Sequence, residues 1–524
     1  MTAIKTIGVV VALILTFSLH TWSQTAVLTY HNDVQRTGQN LAETILAPSN
    51  VNSATFGKVF AFSIIGNIYA QPLYMPGLSI PGQGTHNVVF VATEHDSVYA
   101  FDADGKTLSP LWFRSFLDTT HGITSVLQSD VGGPITPEYG ITSTPVIDPL
   151  TLTMYLVAFT KENGNYVQRL HALDLTTGKD KLNAVMISAS VHGTGVGNDG
   201  KGNIPFQAKI QLQRPALLLA GGVVYIAWGS FNDMGPYHGW VMACSAATLQ
   251  QLAVWNSTPD GAAGSLWQDG SGLAEDPAGN LWAMTGNGTF DANTGGRDFG
   301  NSMVKLSSAQ NGLTVSNYFT PFNEQKLNSS DQDLGSGGIM LLPLQNAAVP
   351  RLAVGAGKGG TIYLVNRSSP GKFHSGDDSQ IVQSIPHGAG TASSNNNFST
   401  PAYWNENVYF LGNNDFLRQY PVQNGLLQTA ITGTHIYGFP GATPVVSSNN
   451  ASNGIVWTLE RIPLGNAVLH AYDASNVANE LYNSNQAGTR DQFGAVVKFV
   501  VPTVANGRVY VGAKGHLVVF GLLQ

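Results

Sequence analysis

At 524 residues the chain is too long for one ordinary compact core, and with 59 glycines and only 11% charged residues it lacks the material for long helical faces, which leaves short strands joined by tight turns. A formal net charge of -7 without any basic cluster excludes an electrostatic footprint for nucleic acid. The lone cysteine, Cys244, excludes an intramolecular disulfide as well as zinc-finger, iron-sulfur and haem-attachment motifs.

In chain order, residues 1–23 come first. They carry one basic residue, Lys5, an apolar run from Ile7 to Leu19, and small side chains at Thr21 and Ser23. This is the pattern of a cleaved export signal, because the apolar run is shorter than the roughly 20 residues a bilayer span needs. No later segment is apolar enough to span, so the expectation is an exported protein, periplasmic or secreted. Residues 24–55 read as an N-terminal arm. Its polar cluster, Tyr30-His31-Asn32-Asp33 with Arg36, Gly38 and Asn40, is expected to pack the arm on the rest as a satisfied loop network.

Residues 56–524 are built from a repeat. Each copy has an apolar strand often opened by proline, a turn, a second strand of the Val-Tyr-Val-Gly kind, and a third like Leu-His-Ala-Leu-Asp. Copies begin near Pro72, Pro145, Pro215, Gly272, Gly338, Pro401, Pro444 and Pro502. Eight copies predict an all-β, eight-bladed β-propeller of four-stranded antiparallel blades. The last copy has three strands, and Phe56-Gly57-Lys58-Val59-Phe60-Ala61-Phe62 stands unpaired before the first. This N-terminal strand is therefore expected to complete the last blade, closing the ring and removing two exposed edges.

Function sits on residues grafted onto such a fold, not in the fold itself. Four stretches in copies three to five stand out: Ser230-Phe231-Asn232-Asp233-Met234-Gly235; Gly264-Ser265-Leu266-Trp267 followed by Thr285-Gly286-Asn287; Ser330-Asp331-Gln332-Asp333-Leu334-Gly335; and Lys358-Gly359-Gly360-Thr361-Ile362-Tyr363. They resemble the corresponding stretches of quinoprotein alcohol dehydrogenases, eight-bladed propellers that hold pyrroloquinoline quinone (PQQ) and a divalent metal on the axis.

The resemblance implies that Trp267 forms the floor under the quinone, where an indole face suits a flat aromatic group. It implies that Lys358 stabilises charge on the reduced quinone's oxygens, with Ser230 also on the cofactor. Asn287 and Asp233 become oxygen ligands of a calcium or lanthanide ion, Asp233 taking the place of the family's glutamate. Either Asp331 or Asp333 is the general base that takes the substrate hydroxyl proton. With Asp331 as base, Asp333 becomes a second carboxylate of the kind that accompanies a lanthanide.

Several family features are absent. The stretch Asp130-Val131-Gly132-Gly133-Pro134 lacks the adjacent cysteines that roof the quinone in many relatives. Most copies lack the tryptophan latch between blades, Phe101-Asp102-Ala103-Asp104-Gly105 with Trp112 and Leu173–Gly178 being the best survivors. Asp291-Ala292-Asn293-Thr294-Gly295 reads as a plain turn, Asn395–Asn397 as a loop, and His121, His192, His238 and His387 have no metal-ligand spacing.

Two functions remain open. One is a quinone-dependent oxidoreductase acting on an alcohol or sugar hydroxyl and passing electrons to an external acceptor. The other is a non-catalytic scaffold binding protein or glycan, which the missing cysteine pair favours. A polysaccharide lyase or hydrolase would need paired carboxylates or a His/Tyr/Arg site in a cleft, and no motif offers them.

Overall fold

The computed structural model describes residues 25–308, 312–393 and 395–523, so the expected export signal lies outside the described residues. Eight antiparallel sheets follow one another along the chain. Their first strands are Leu73–Ile80, Val146–Asp148, Leu218–Ala220, Ala274–Glu275, Met340–Leu341, Ala402–Trp404, Val445–Asn449 and Thr503–Ala505. Each begins within three residues of the proline or glycine at which its copy was expected to open. Proline fits there because it needs no ladder partner at the first residue of a strand.

Phe56–Ser63 runs antiparallel to His516–Leu522, with Phe56 opposite Leu522 and Ser63 opposite His516. Blade 8 therefore takes its outer strand from the N-terminal side of the chain and closes the ring as expected. The first strand of blade 8 touches those of blades 7 and 1. Among the described residues, the additions to the blades are small: Ile123–Leu127 with Glu138–Tyr139 on blade 2, Gln211–Leu212 on blade 3, a hairpin of Ser190–His192 with Asn203–Pro205, and two short parallel pairings. No helix among them is long and apolar enough to cross a membrane.

The apolar core lies between blades. Val89, Val91 and Phe101 of blade 1 pack on Phe62, Tyr510 and Val519 of blade 8. Met284 and Met303 of blade 4 pack in the same way on Ala353 and Tyr363 of blade 5. Such layers are non-directional, so register between blades needs polar pins. One is the surviving latch, in which Trp112 of blade 1 donates its indole N–H to Leu175 O of blade 2 at 2.8 Å. Its ring lies so near Gly178 that a β-carbon there would stand 2.5 Å from Cε3.

Elsewhere a tyrosine takes that duty. Tyr155, Tyr409 and Tyr510 sit at equivalent points of second strands. They donate to the carbonyls of Ala246, Ala474 and Ala103, each just past the third strand of the next blade.

The arm packs on the ring, and it does so along the axis. Val27 bridges to Tyr74 of blade 1. Leu28 O accepts from Ile147 N of blade 2, Val34 O from Glu275 N of blade 4, Gln35 O from Leu341 N of blade 5 and Thr37 O from Tyr403 N of blade 6. Gln39–Asn40 adds a parallel strand to blade 7, and the Asn40 amide donates to Val504 O of blade 8. Blade 3 is reached by Arg36, which is fully buried and donates to the carbonyls of Leu217, Leu273 and Tyr30 and to the Thr29 hydroxyl. The arm thus bonds to all eight blades.

Candidate active site

A cavity of about 140 Å³ is lined by residues that come from around the ring. Trp267, Ser230, Asp233, Asp333 and Lys358 all face it, and they share it with Pro134, Arg214, Asp269, Phe398 and Phe499.

Trp267 is delivered by the segment between blades 3 and 4 and fixed by the residue after it. The Gln268 side chain donates to Ser271 O and Gly272 O and accepts from Met284 N at 2.7 Å, locking a turn in which Gln268 and Asp269 both have left-handed φ. Glycines make room for the half-buried indole. A β-carbon at Gly229 or Gly286 would stand 3.0 or 3.1 Å from it, and at Gly286 only 2.4 Å from Asp333 Oδ1. The glycine of Thr285-Gly286-Asn287 is thus what lets the Asp333 carboxylate reach the Asn287 backbone.

Asp331, Asp333, Asn287 and Lys358 form one bonded group. Lys358 Nζ lies 2.6 Å from Asp333 Oδ2 and 3.0 Å from Asp331 Oδ1. Asn287 donates its backbone N–H to Asp333 Oδ1 at 2.6 Å and its amide N–H to Asp331 Oδ1 at 3.0 Å. The Asn287 amide oxygen accepts from Asn301 Nδ2.

Burial raises the Asp333 carboxyl above the usual range, against the opposing pull of Lys358 and the Asn287 N–H. Burial works against the Lys358 charge as well, but the two aspartates outweigh it and hold its pKa above the ordinary lysine value. The proton of the pair rests on lysine. Asp331 differs from Asp333 in being exposed, at a left-handed φ of 53°, with Oδ2 left for another partner.

Asp233 occupies an exposed left-handed turn beside Asn232 and accepts from Tyr237 Oη at 2.7 Å; its backbone N–H donates to Ser230 Oγ. Burial and then Asp233 push the Tyr237 phenol far up, with Asp333 and Asp331 adding to the effect. Asp331, Asp333 and Asn287 are thus bonded together around Lys358, and Asp233 lines the same cavity as Asp333; carboxylate and amide oxygens are the donor type that suits a hard cation.

Residues outside the four stretches complete the walls. Arg214, directly before the proline that opens blade 3, pairs with buried Asp269 at 3.0 Å and lies 4.3 Å over the Phe499 ring. Burial holds the Asp269 carboxyl well above its ordinary range despite Arg214 and Lys498. Phe398 and Phe499 meet at 5.8 Å between centroids. The loop at Asn395–Asn397 is a brace rather than a free surface loop: Asn396 N and Nδ2 both donate to Lys358 O, and Asn397 is buried. The Pro134 ring, in the stretch without cysteines, lies against the cavity. The stretch Asp291–Gly295 is a short 3₁₀ turn in which Asp291 accepts from Asp298 N, as expected of a plain turn.

No protein-family model and no curated protein sequence matches the chain. Solved structures do. Quinohemoprotein alcohol dehydrogenase from Comamonas testosteroni superposes with a TM-score of 0.61 at 15% identity over 95% of this chain and 80% of the other. The quinohemoprotein alcohol dehydrogenase ADHIIG from Pseudomonas putida HK5 gives 0.59 at 13%, over 95% and 80%. A europium-containing methanol dehydrogenase gives 0.59 at 13%, over 95% and 98%. At such identity the likeness is one of fold, and the fold of this chain is an eight-bladed β-propeller.

Proposed function

We propose that the chain is an exported, quinone-dependent oxidoreductase acting on an alcohol or sugar hydroxyl, with its site in the axial cavity. The observation that carries this reading is the meeting of an indole face, a lysine ammonium and a carboxylate-amide cluster at one cavity. PQQ would supply a two-electron acceptor when bound. Trp267 offers the stacking floor, with Pro134 and buried Ser230 also lining the cavity. Asp333, Asn287 and Asp233 would be the oxygen donors that hold calcium or a lanthanide.

The chain's own chemistry is proton handling and charge placement. Asp331, exposed and with Oδ2 open, is the base that takes the proton from the substrate hydroxyl. Asp333, buried and doubly bonded, is the ligand and the counter-charge that holds Lys358 protonated toward the cavity. Electrons leave to an external acceptor.

The cavity volume favours a second reading, a non-catalytic propeller that binds protein or glycan. About 140 Å³ is below the roughly 300 Å³ at which small-molecule pockets begin, so a quinone would require the lining side chains to move.

Titrating the mature chain with PQQ and calcium, and in parallel a lanthanide, tests both readings through tryptophan fluorescence and dye-linked alcohol oxidation. Metal-dependent quinone binding that is lost in Trp267→Ala and Lys358→Ala, with dye reduction, is the expected result. Absence of quinone binding with every metal overturns the oxidoreductase reading and leaves the scaffold.

A further inference from the structure

Away from the axis, two histidines and a glutamate converge at the seam between blades 6 and 7. His435 lies on the outer strand of blade 6, Ile431–Tyr437. Glu460 ends the second strand of blade 7, Ser452–Glu460, and His470 stands on its third, Val468–Asp473. Glu460 Oε2 is 3.0 Å from His435 Nε2 and 3.4 Å from His470 Nε2, and the three donor atoms all lie within 4.8 Å of one another.

His470 shows which way the cluster points. It is 2% exposed, and its Nδ1 sits 2.6 Å from Glu480 Oε1. A carboxylate only accepts, so Nδ1 carries the hydrogen, and Nε2 is the ring atom that faces Glu460 and would give its lone pair to a bound metal. That Nε2 is buried without a hydrogen-bond partner. Glu480 is itself held by Asn483 Nδ2 at 3.1 Å. A carboxylate that fixes the tautomer and orientation of a ligating histidine is the usual outer support of a metal site.

We propose that His435, Glu460 and His470 form a zinc-class divalent metal site that clips blade 6 to blade 7. Ligands about 2.0–2.1 Å from a tetrahedral ion stand about 3.3–3.4 Å from each other, close to the spacings found here. Two imidazoles and one carboxylate suit zinc rather than calcium or magnesium, which prefer all-oxygen sets. His435 is partly exposed, which gives the ion an entry path and leaves its fourth position to water. This site is separate from the axial one and does not depend on the proposed oxidoreductase activity.

The test is titration of the metal-stripped full chain with zinc, and with cobalt for its visible absorption. Variants are His435→Ala, whose exposed position lets it fold, Glu480→Gln and, as an axial control, Asp333→Asn. One equivalent of zinc, a four-coordinate cobalt spectrum and a zinc-dependent rise in melting temperature are expected. His435→Ala should abolish all three, Glu480→Gln should weaken binding about 10–100-fold, and Asp333→Asn should change none. The proposal is overturned if His435→Ala, shown to be folded by circular dichroism, binds like the parent, if the parent binds no zinc, if calcium displaces it at equal concentration, or if Asp333→Asn removes the binding.

Discussion

Lys358 Nζ stands 2.6 Å from Asp333 Oδ2 at a point where the carboxylate is buried and also receives the Asn287 N–H. Neither charge is comfortable alone. Lys358→Met would leave Asp333 buried without its cation, and removing one partner of a buried pair costs about 3–5 kcal/mol. Burial already raises the Asp333 carboxyl above its ordinary value, and without lysine it rises further. A raised folded-state pKa means that the native chain binds the proton more tightly than the unfolded chain. Stability of the variant should therefore fall as pH rises from the ordinary carboxylate value through the raised one, and recover on acidification. Urea unfolding across that range checks this; a deficit independent of pH would show that the pair is not the cause.

Glu94, in the segment after the second strand of blade 1, makes a similar but stronger prediction. Its Oε2 accepts from Gly140 N and Thr142 Oγ1, whereas Oε1 is buried without a partner. Burial outweighs those bonds and pushes the carboxyl from 4.5 up to about 8. The native state is then progressively destabilised between about pH 4.5 and 8, by up to about 5 kcal/mol. Glu94→Gln keeps an acceptor and removes the charge. It should be more stable than the parent at pH 8, equal to it or weaker at pH 5, and flatter between them in denaturant titrations.

The fold was legible because each blade writes its own signature. A proline or glycine opens the inner strand and an apolar pair follows, so all eight sheets and the closure by Phe56–Ser63 could be located from local pattern. Tyr155, Tyr409 and Tyr510 were visible as the tyrosine of the Val-Tyr strand, but not as latches, because their partners are carbonyls of the neighbouring blade and carry no residue type. Lys358, Asp333 and Asn287 could be grouped through the resemblance of their stretches to those of quinoprotein alcohol dehydrogenases. Arg214, Asp269, Phe398 and Phe499 could not, since they come together only when the ring closes. His470 was invisible for a like reason: Glu460 and Glu480 reach it from the neighbouring strands of blade 7, and His435 from across the seam with blade 6.

The tyrosine latches can be measured one at a time. Tyr155→Phe keeps the ring that packs between blades 2 and 3 and deletes only the 2.9 Å bond to Ala246 O. That carbonyl belongs to a buried residue, and an unsatisfied buried acceptor costs about 1–3 kcal/mol. A loss in that range, seen in unfolding free energy with little change in denaturant dependence, is expected. No loss would mean that the apolar seam alone fixes the register.

Arg36 gives the sharpest test of the arm. Its guanidinium is fully buried, and burial lowers its pKa to about 10, with Asp33 and Tyr30 only partly opposing. It donates to three carbonyls, those of Tyr30, Leu217 and Leu273, so it ties the arm to blades 3 and 4 at one point. Arg36→Met fills much of the volume but leaves these carbonyls without their donor, a penalty of several kcal/mol if no water replaces it. Because the neighbouring arm residues bond to blades 5 to 8, the damage should spread along the arm. Amide exchange of Leu341, Tyr403 and Val446, whose N–H groups donate to Gln35, Thr37 and Gly38, should quicken together. Exchange confined to residues beside position 36 would show instead that the arm is held strand by strand, with Arg36 contributing only its own bonds.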